Sequence, residues 1–370
     1  MTKRPTLFDV AERAGVSIAT VSFAFSKPHK VKESTRIAVV EAAREMGYMP
    51  SASARALVRG KTGAIGLFAL DPAGHAGTET VRSAASQPAD GISQETVKTD
   101  FPDDPNEGFR LFPLYHDEVQ RGLEMECRRR GYVVIVGEGN SASTEADIAE
   151  VASRVDGVAV FPNTLTGEML RLISRQMPVV ELSNPIEDNG LHRVSVENAA
   201  AMKSLTAHLI QHHGLTDIAF VGPLGFPDKE HRYAGYTGAM VEAGLPVRTI
   251  PTPDERDSVQ DVRRTIQELE ANSELPQAFV CSMDAEALLY MDALSQAGID
   301  VPNQIAVTGF DGLVAGLVSR PTLTTIRQPM FALGCEAASI LIDAASGAGT
   351  QPVAKELPVK IVLRESCGCG

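Results

Sequence analysis

The chain has 370 residues, of which 44% are hydrophobic and 22% are charged, so it is long enough for two or three packing units and too apolar for wholesale disorder. It has no continuous apolar run of about eighteen residues that would predict a membrane-spanning helix, and residues 1–5 lead into charged sequence without an apolar signal segment. Five cysteines are too few for a disulfide framework, which favours a cytoplasmic protein.

The net charge of −13 is distributed unevenly along the chain. Residues 1–62 contain eleven Lys and Arg against five Asp and Glu, a net charge of +6, whereas the remaining residues carry a net charge of −19. A basic end on an acidic body is typical of a protein in which one end contacts phosphates. The charge pattern therefore predicts a nucleic-acid-binding segment near the N-terminus.

The first residues predict two short helices separated by a tight turn. Thr6 is a good N-cap with Asp9 three residues later, and Gly15 suits the left-handed turn that ends a helix. Ser17 is the next N-cap, and it precedes a second helix over Ile18–Phe25. Two short helices joined by a Gly-containing turn are a helix-turn-helix signature, in which the second helix lies in a DNA major groove.

A third helix and a short Ala-rich segment follow. The helix is predicted over about Glu33–Met46. Its inner face is predicted to contain Ile37, Val40, Ala42 and Ala43. Residues 51–58 are predicted to form a helix that is too short to be stable alone in water. We expect this hinge helix to fold on a partner, with Leu57 as an apolar wedge between base steps of the minor groove.

Four segments of this region carry a recognisable pattern: residues 6–22 (TLFDVAERAGVSIATVS), 35–36 (TR), 47–50 (GYMP) and 54–57 (ARAL). Together they resemble the N-terminal region of the LacI/GalR family of transcription regulators. The resemblance implies a homodimer that binds a palindromic operator in double-stranded DNA. It implies no catalytic activity, cofactor or membrane partner.

The resemblance also assigns roles to individual residues. It places three residues where the second helix faces the bases: Ile18, Ala19 and Phe23. It places five where the family contacts phosphates: Thr6, Ser17, Thr20, Ser22 and Thr35. It places three on the hinge helix: Ala54, Arg55 and Leu57. Phe23 departs from the polar residue of many members, so the predicted reading face is apolar and suits thymine methyl groups. The alternative is a plain three-helix core whose Ser and Thr residues only cap helices.

From Gly63 onward, short apolar runs alternate with helical patterns, which predicts parallel sheets with crossover helices. The predicted strands are Ile65–Leu70, Val133–Val136, Gly157–Phe161, Val179–Leu182, Ile218–Val221, Ala278–Cys281 and Ile305–Thr308. The predicted domains are a DNA-binding domain (1–49), a hinge (50–62) and an α/β body (63–370) of two lobes. We assign about 63–190 plus 322–346 to the first lobe and about 191–321 plus 347–370 to the second.

The body resembles the same family over residues 232–236 (RYAGY), 298–302 (GIDVP), 305–311 (IAVTGFD) and 321–329 (PTLTTIRQP). These matches imply a type I periplasmic-binding-protein fold that closes on a small effector. They place Asp311 as an acceptor from effector hydroxyls and Arg232 as a donor to the effector. Asp284 follows a predicted strand and is a further cleft-edge candidate. The alternatives are a loop-capping carboxylate for Asp311, a surface ion pair for Arg232 and a plain helix N-cap for Asp284.

Three other features of the sequence each allow two interpretations. Residues 73–110 form an insertion after the first strand, either a disordered decoration or a lid or dimer arm. His208 and His212 are four residues apart, which permits a metal pair, but their position at a helix end favours a structural role. Cys367 and Cys369 form one Cys-X-Cys pair, which is a weak indication of a metal or redox site.

The sequence thus predicts a cytoplasmic, effector-controlled transcriptional repressor that binds DNA as a dimer. No tetramerisation heptads follow Leu363, which favours the dimer. The effector most often implied by the resemblance is a carbohydrate, and a nucleoside or purine is second. Control by a partner protein, or by no ligand, remains an alternative. An enzyme is not expected, because no nucleophile or cofactor motif is found.

Overall fold

The computed structural model describes residues 6–26, 30–46, 61–70, 114–139, 144–185, 190–250, 259–349 and 351–370. These residues belong to two compact units, one over 1–64 with 154–156 and the other over the rest of the chain. The hinge positions Ala54, Arg55 and Leu57 and the insertion 73–110 lie outside the described residues. Among the described residues, no helix combines the length and hydrophobicity that crossing a bilayer requires.

The first unit contains the predicted helix-turn-helix. Its helices are α1 (Leu7–Ala14), α2 (Ile18–Ser26) and α3 (Glu33–Glu45). The N-terminus of α1 carries a reciprocal capping box between Thr6 and Asp9, and Gly15 ends the helix at φ 66°. The three helices enclose a small core that contains Val10, Ala11, Val21, Ala24, Val39, Ala42 and Ala43.

The predicted inner face of α3 is partly wrong. Ile37 and Val40 are 47% and 40% exposed, whereas Val39 is fully buried beside Ala42 and Ala43. The buried residues follow the helical spacing i, i+3, i+4 from Val39. Small alanines let three short helices approach closely, so the larger side chains on the neighbouring face stay outside.

The second unit contains two parallel-dominated sheets. Its strands are β1 (Ala64–Leu70), β2 (Val133–Gly139), β3 (Val158–Val160), β4 (Val179–Leu182), β5 (His192–Val196), β6 (Ile218–Val221), β7 (Arg248–Ile250), β8 (Ala278–Cys281), β9 (Ala306–Asp311), β10 (Thr324–Arg327), β11 (Ala354–Leu357) and β12 (Lys360–Val362). Its helices are α4 (Leu114–Arg129), α5 (Thr144–Ala152), α6 (Gly167–Ser174), α7 (Asn198–His213), α8 (Pro227–Glu242), α9 (Val259–Ala271), α10 (Asp284–Gln296), α11 (Val314–Val318) and α12 (Met330–Ala345). A 3₁₀ turn spans Glu365–Cys367.

Each sheet has six strands and forms the centre of one lobe. The first sheet has the order β11-β5-β4-β3-β1-β2 and the second has the order β12-β10-β9-β8-β6-β7. β12 pairs antiparallel with β10 at one edge of the second sheet. This arrangement is the predicted two-lobed α/β body, with the carboxyl ends of parallel strands directed to one side of each sheet.

The path of the chain between the lobes differs from the predicted one. β10 lies in the second sheet, although residues 322–346 were all assigned to the first lobe. β11 lies in the first sheet, although residues 347–370 were all assigned to the second. These strands were missed because their sequences, TTIR and AKEL, contain no apolar run. The chain therefore crosses between the lobes after β5, after β10 and after β11.

Two glycines allow α4 and α12 to pack closely against each other in the first lobe. A Cβ atom at Gly122 would overlap the carbonyl oxygen of Phe331, and one at Gly334 would overlap the carbonyl oxygen of Val119. The contact between the helices is therefore backbone against backbone, which leaves no space for a side chain at either glycine.

We expect Gly334→Ala to lower the free energy of unfolding by about 1–3 kcal/mol, because the added methyl group must push the helices apart. The matched control is Gly238→Ala in α8, where the nearest atom to a new Cβ is Lys203 Cδ at 3.8 Å. In that variant the free energy of unfolding should rise by up to about 1 kcal/mol, because alanine has a higher helix propensity than glycine. Urea unfolding followed by circular dichroism suits a chain without tryptophan. Equal stability of the two variants would contradict the packing argument.

Candidate ligand cleft and nucleic-acid interface

The second helix of the helix-turn-helix presents an apolar face. Ile18 and Phe23 are 45% and 41% exposed, and Ala19 is exposed beside them. The first and last turns of α2 contain no acidic and no basic residue, respectively. The three residues predicted to face the bases thus share one accessible surface of one helix, and that surface can make apolar contacts but no bidentate hydrogen bonds.

Several of the hydroxyl groups predicted to face phosphates have local partners, and the Ser17 and Thr20 hydroxyls hydrogen-bond with each other at 2.8 Å. The Thr6 hydroxyl donates to Asp9 Oδ2 at 2.7 Å, and the backbone amide of Thr20 donates to Ser17 Oγ at 3.1 Å. Thr35 lies in the first turn of α3 and is half-buried. The cap role that the sequence left open is therefore present for Thr6 and Ser17, and it also fixes both hydroxyls at helix N-termini, where anions bind readily.

Asp311 ends β9 in a strained backbone conformation. Its φ is 127°, a region that residues with a side chain rarely adopt. The carboxylate is 8% exposed, and its Oδ1 accepts a hydrogen bond from Gln328 Nε2 at 2.7 Å. It also lies 3.9 Å from Arg232 Nη1. Strain of this kind persists where the surrounding structure holds a group in a functional position.

Arg232 is buried on α8, with 3% of its surface exposed. Its guanidinium group donates to Asn198 Oδ1 at 2.8 Å and to the Ser282 carbonyl at 2.7 Å. It pairs with Asp228 at 3.1 Å and lies 3.8 Å from the centroid of the Phe310 ring. A surface ion pair is therefore the wrong description of Arg232. Its charge is directed to the strand-end cluster that contains Asp311.

Asp284 is not the N-cap of α10, because Met283 occupies that position. The carboxylate is fully buried and accepts hydrogen bonds from the Gly312 and Leu313 amides and from the Thr325 hydroxyl, at 2.9, 2.7 and 2.6 Å. A Cβ at Gly309 would overlap this carboxylate. Asp284 therefore positions the loop that follows Asp311, and its oxygens are occupied by the protein itself.

Burial changes the proton affinity of this cluster. It raises the pKa of Asp311 to about 6, against the lowering effect of Arg232. It also raises the pKa of Asp284 to about 7, with a further contribution from the negative charge of Asp311. Burial raises the pKa of Glu286 to about 7 as well, against the lowering effect of Lys229. The second lobe thus holds three carboxyl groups that titrate near neutrality at one sheet edge.

The first lobe contributes aromatic rings that sequence reasoning missed. Tyr115 and His116 of α4 pack edge-on against Phe161, with centroid separations of 6.3 and 4.2 Å. The Tyr115 hydroxyl hydrogen-bonds with Ser183. Burial raises the pKa of Tyr115 above its usual value, and the charge of Asp311 adds to this effect, which places the ring within electrostatic reach of the opposite lobe. The signal in the sequence was the position of Phe161 as the last residue of the predicted strand Gly157–Phe161.

A cavity of about 320 Å³ lies beside these rings. Its lining includes Phe161, Asn163, Glu181, Asn184, Arg193 and, from the second lobe, Pro227. Glu181 and Arg193 form a buried ion pair at 2.8 Å. Two buried acceptors have no hydrogen-bond partner among the described residues: Asn184 Oδ1, from a residue that lines this cavity, and Gln328 Oε1, from the residue beside Asp311. Unpaired buried acceptors are costly, so they mark places where a ligand with donor groups would be stabilised.

Comparison with known proteins gives consistent matches over the whole chain. Residues 6–51 match the profile described as bacterial regulatory proteins of the lacI family, and residues 206–367 match a periplasmic binding protein-like domain. The HTH-type transcriptional repressor PurR of Actinobacillus pleuropneumoniae is 30% identical over 98% of this chain and 98% of that protein. The ribose operon repressor of Halalkalibacterium halodurans is 28% identical over 98% of this chain and 96% of that protein.

A solved structure supports the fold. The Lac repressor dimer bound to operator and the anti-inducer ONPF superposes with a TM-score of 0.76 at 21% identity, over 99% of both chains. At this identity the likeness concerns the fold alone, and it agrees with a helix-turn-helix followed by a two-lobed α/β body.

We expect the buried Asp311 carboxyl to make the folded state less stable as the pH rises. Its folded pKa of about 6 lies above the ordinary value of 3.8 for an aspartate, so the folded chain binds more protons between these values and stability falls as the pH rises through this range. Urea unfolding at about pH 5 and pH 7.5 should show that the free energy of unfolding falls with pH in the wild type. In Asp311→Asn this fall should be smaller by about 1 kcal/mol.

Comparison with the variant is needed because other groups also change the pH dependence of stability. The raised pKa values of Asp284 and Glu286 act in the same direction as that of Asp311, whereas the lowered pKa values of His192 and His208 act in the opposite direction. The exposed Glu230 of α8 supplies the control, and Glu230→Gln should keep the wild-type dependence. A fall of equal size in wild type and Asp311→Asn would show that the carboxyl keeps its ordinary pKa.

Proposed function

The chain belongs to the lacI family of bacterial regulatory proteins, and we propose that its affinity for operator DNA is controlled by a small carbohydrate bound between the two lobes. It is a DNA-binding transcriptional repressor and not an enzyme. The proposal concerns the effector, its site, the dimer and the DNA-reading residues. As a regulator of transcription, the chain is proposed to act in the cytoplasm.

The observation that carries the effector site is the strained Asp311 carboxylate at the end of β9, with Gln328 beside it. Asp311 and the unpaired Gln328 Oε1 are acceptors, and Arg232 is a charged donor in the same cluster. Each sugar hydroxyl donates and accepts, so a polyol satisfies such a mixed set better than an apolar ligand. The similarity to a ribose operon repressor is consistent with a carbohydrate effector.

The second candidate effector is a purine or nucleoside. The similarity to PurR repressors favours it, and the aromatic group formed by Tyr115, His116 and Phe161 offers ring faces and edges for stacking. Sugars also pack against aromatic rings, so the rings do not discriminate. The carbohydrate is preferred because the unpaired groups are acceptors that hydroxyl donors would satisfy.

At the operator, we propose that α2 lies in the major groove of each half-site and that two chains bind as a symmetric dimer. Ile18, Ala19 and Phe23 would contact bases, and Thr6, Ser17, Thr20, Ser22 and Thr35 would contact phosphates. The hinge role of Ala54, Arg55 and Leu57 rests on the sequence. Effector binding and operator binding would then be coupled reciprocally, because each changes the free energy of the other.

The effector proposal is tested by thermal unfolding of the full chain with pentoses, hexoses, sugar phosphates, nucleosides and purines. A ligand at a hundred times its dissociation constant adds about 2.7 kcal/mol of stability, which for this size shifts the midpoint by several degrees. Asp311→Ala should lose about 1.5–3 kcal/mol of binding free energy, because a charged acceptor is removed. The control Glu230→Gln should keep the wild-type shift.

The response to these compounds distinguishes between the candidate effectors. A shift with purines alone would replace the carbohydrate by the second candidate. A shift that survives Asp311→Ala would remove the proposed site. No shift with any compound would contradict control by these ligands and favour control by a partner protein or by no ligand.

The reading face is tested by selecting bound sequences from random double-stranded DNA with the full chain. We expect a palindromic site, and we expect Phe23→Ala to relax the base preference at one position of each half-site by about 1 kcal/mol. Ile37→Ala is the matched control, because Ile37 is an exposed apolar residue on a different helix. If both variants select the wild-type site with equal stringency, Phe23 does not read bases.

A further inference from the structure

A cluster of four metal-binding side chains lies outside the candidate cleft. His208 and His213 come from the last turns of α7, and Cys367 and Cys369 come from the 3₁₀ turn and the residues after it. One ligand atom from each residue lies within 4.8 Å of all the others. We propose that these four residues bind one Zn²⁺ ion, which fastens the segment around Cys367 and Cys369 to the end of α7.

Three of the ligand atoms form a nearly equilateral triangle. His208 Nε2 lies 3.3 Å from Cys369 Sγ, His213 Nε2 lies 3.2 Å from the same sulfur, and the two imidazole nitrogens lie 3.2 Å apart. Hydrogen bonds cannot account for all three contacts. Each of these atoms carries at most one proton, and a neutral imidazole nitrogen is either a donor or an acceptor. In any neutral arrangement one edge of the triangle therefore lacks a proton directed along it.

A cation between these three atoms would bind all of them at once, so no hydrogen bond between them would be needed. Zinc in a tetrahedral site takes thiolate and imidazole ligands at about 2.3 and 2.0–2.1 Å, which corresponds to ligand–ligand separations of roughly 3.3–3.8 Å. The observed triangle is close to the face of such a tetrahedron, and Cys367 is the fourth ligand. Two sulfurs and two nitrogens are a donor set that soft or borderline cations such as zinc prefer over magnesium or calcium.

The backbone brings the four residues together without the metal. Gly214 ends α7 at φ 67°, and Gly368 adopts φ 91° between the two cysteines. A Cβ at Gly368 would lie 3.5 Å from the His213 ring, so the turn packs directly on the imidazole. The C-terminus of a helix also carries partial negative charge, which favours a bound cation.

The turn itself is anchored to the second sheet. Ser366 Oγ donates to the Val307 carbonyl at 2.6 Å and accepts from the Thr324 amide at 2.8 Å. Cys367 is 3% exposed, and its sulfur lies 3.1 Å from the Thr324 hydroxyl, which can donate to a thiolate. Cys369 is exposed, so the ion can enter from solvent. Cys367 is thus held in place by the turn, whereas Cys369 is accessible to solvent.

The sequence permitted a metal pair at His208 and His212 but favoured a structural role for both, and the proposed arrangement uses His213 in place of His212. The ring of His212 packs beside that of His208 at a centroid separation of 4.8 Å, but His212 is not part of the four-residue cluster. His213, one residue further, faces the cysteines because α7 ends there. His212 therefore provides a control that differs from a proposed ligand by one position on the same helix.

The experiment uses the full chain without a histidine tag, purified with a thiol-free reductant. Zinc content is measured by mass spectrometry after removal of loosely bound metal, and affinity is measured by competition with a chromophoric chelator. We expect about one Zn²⁺ per chain. Cys369→Ser and His213→Gln should each weaken binding at least tenfold, whereas His212→Gln and the thiol control Cys335→Ser should bind as the wild type does. Substitution by Co²⁺ should give the visible absorption of a tetrahedral site with thiolate charge transfer.

A second measurement covers variants that bind no zinc. Circular dichroism establishes that each variant is folded, and a strong chelator should lower the unfolding midpoint of the wild type and of His212→Gln but not that of Cys369→Ser. The proposal fails if the wild type takes up no zinc at micromolar free metal. It also fails if Cys369→Ser and His213→Gln retain wild-type zinc affinity, or if the cobalt form lacks thiolate charge transfer. None of these readouts depends on the effector or on DNA.

Discussion

The charge of Arg232 is the constraint on which the candidate cleft depends. A guanidinium group that is 3% exposed has lost its hydration, so its charge must be compensated by polar and charged groups around it. α7 supplies Asn198, the end of β8 supplies the Ser282 carbonyl, and β9 supplies Asp311. One side chain thus fixes the relative positions of elements that are distant in the sequence. Breaking a buried pair of this kind typically costs about 3–5 kcal/mol, because the remaining charge is left without a partner.

Asp284 holds the loop that follows Asp311 in place. It accepts two loop amides and one hydroxyl, and Gly309 provides the space for its carboxylate. The loop after β9 therefore cannot relax, which explains how Asp311 is kept at φ 127°. The negative charge of Asp311 adds to the effect of burial in raising the pKa of Asp284. The polar network thus holds the Asp311 carboxylate in place.

The sequence contained most of the fold and only part of the site. Buried central strands are apolar runs, so Val179–Leu182, Ile218–Val221 and Ala278–Cys281 were predicted with the bounds that the structure has. The edge strands β7, β11 and β12 and the interior strands β5 and β10 contain no continuous apolar run, so they were not found. The lobe assignment was wrong at β10 and β11, which lie in the opposite sheets from those assigned. Asp311 and Arg232 were identified by resemblance. Gln328, Asn198 and Phe161 depend on contacts between distant segments, which a single sequence does not reveal.

α7 connects the candidate cleft to the cysteine–histidine cluster, since Asn198 lies at its first residue and His213 at its last. Communication between the two sites would require α7 to adopt two arrangements. The packing argues against this: a Cβ at Gly235 of α8 would overlap the Ala199 carbonyl oxygen, so the two helices meet backbone to backbone at the cleft end of α7. A tightly packed pair of helices resists continuous deformation. A metal at the far end of α7 is therefore expected to add stability to the second lobe by binding only its folded form, and not to carry a signal to the effector.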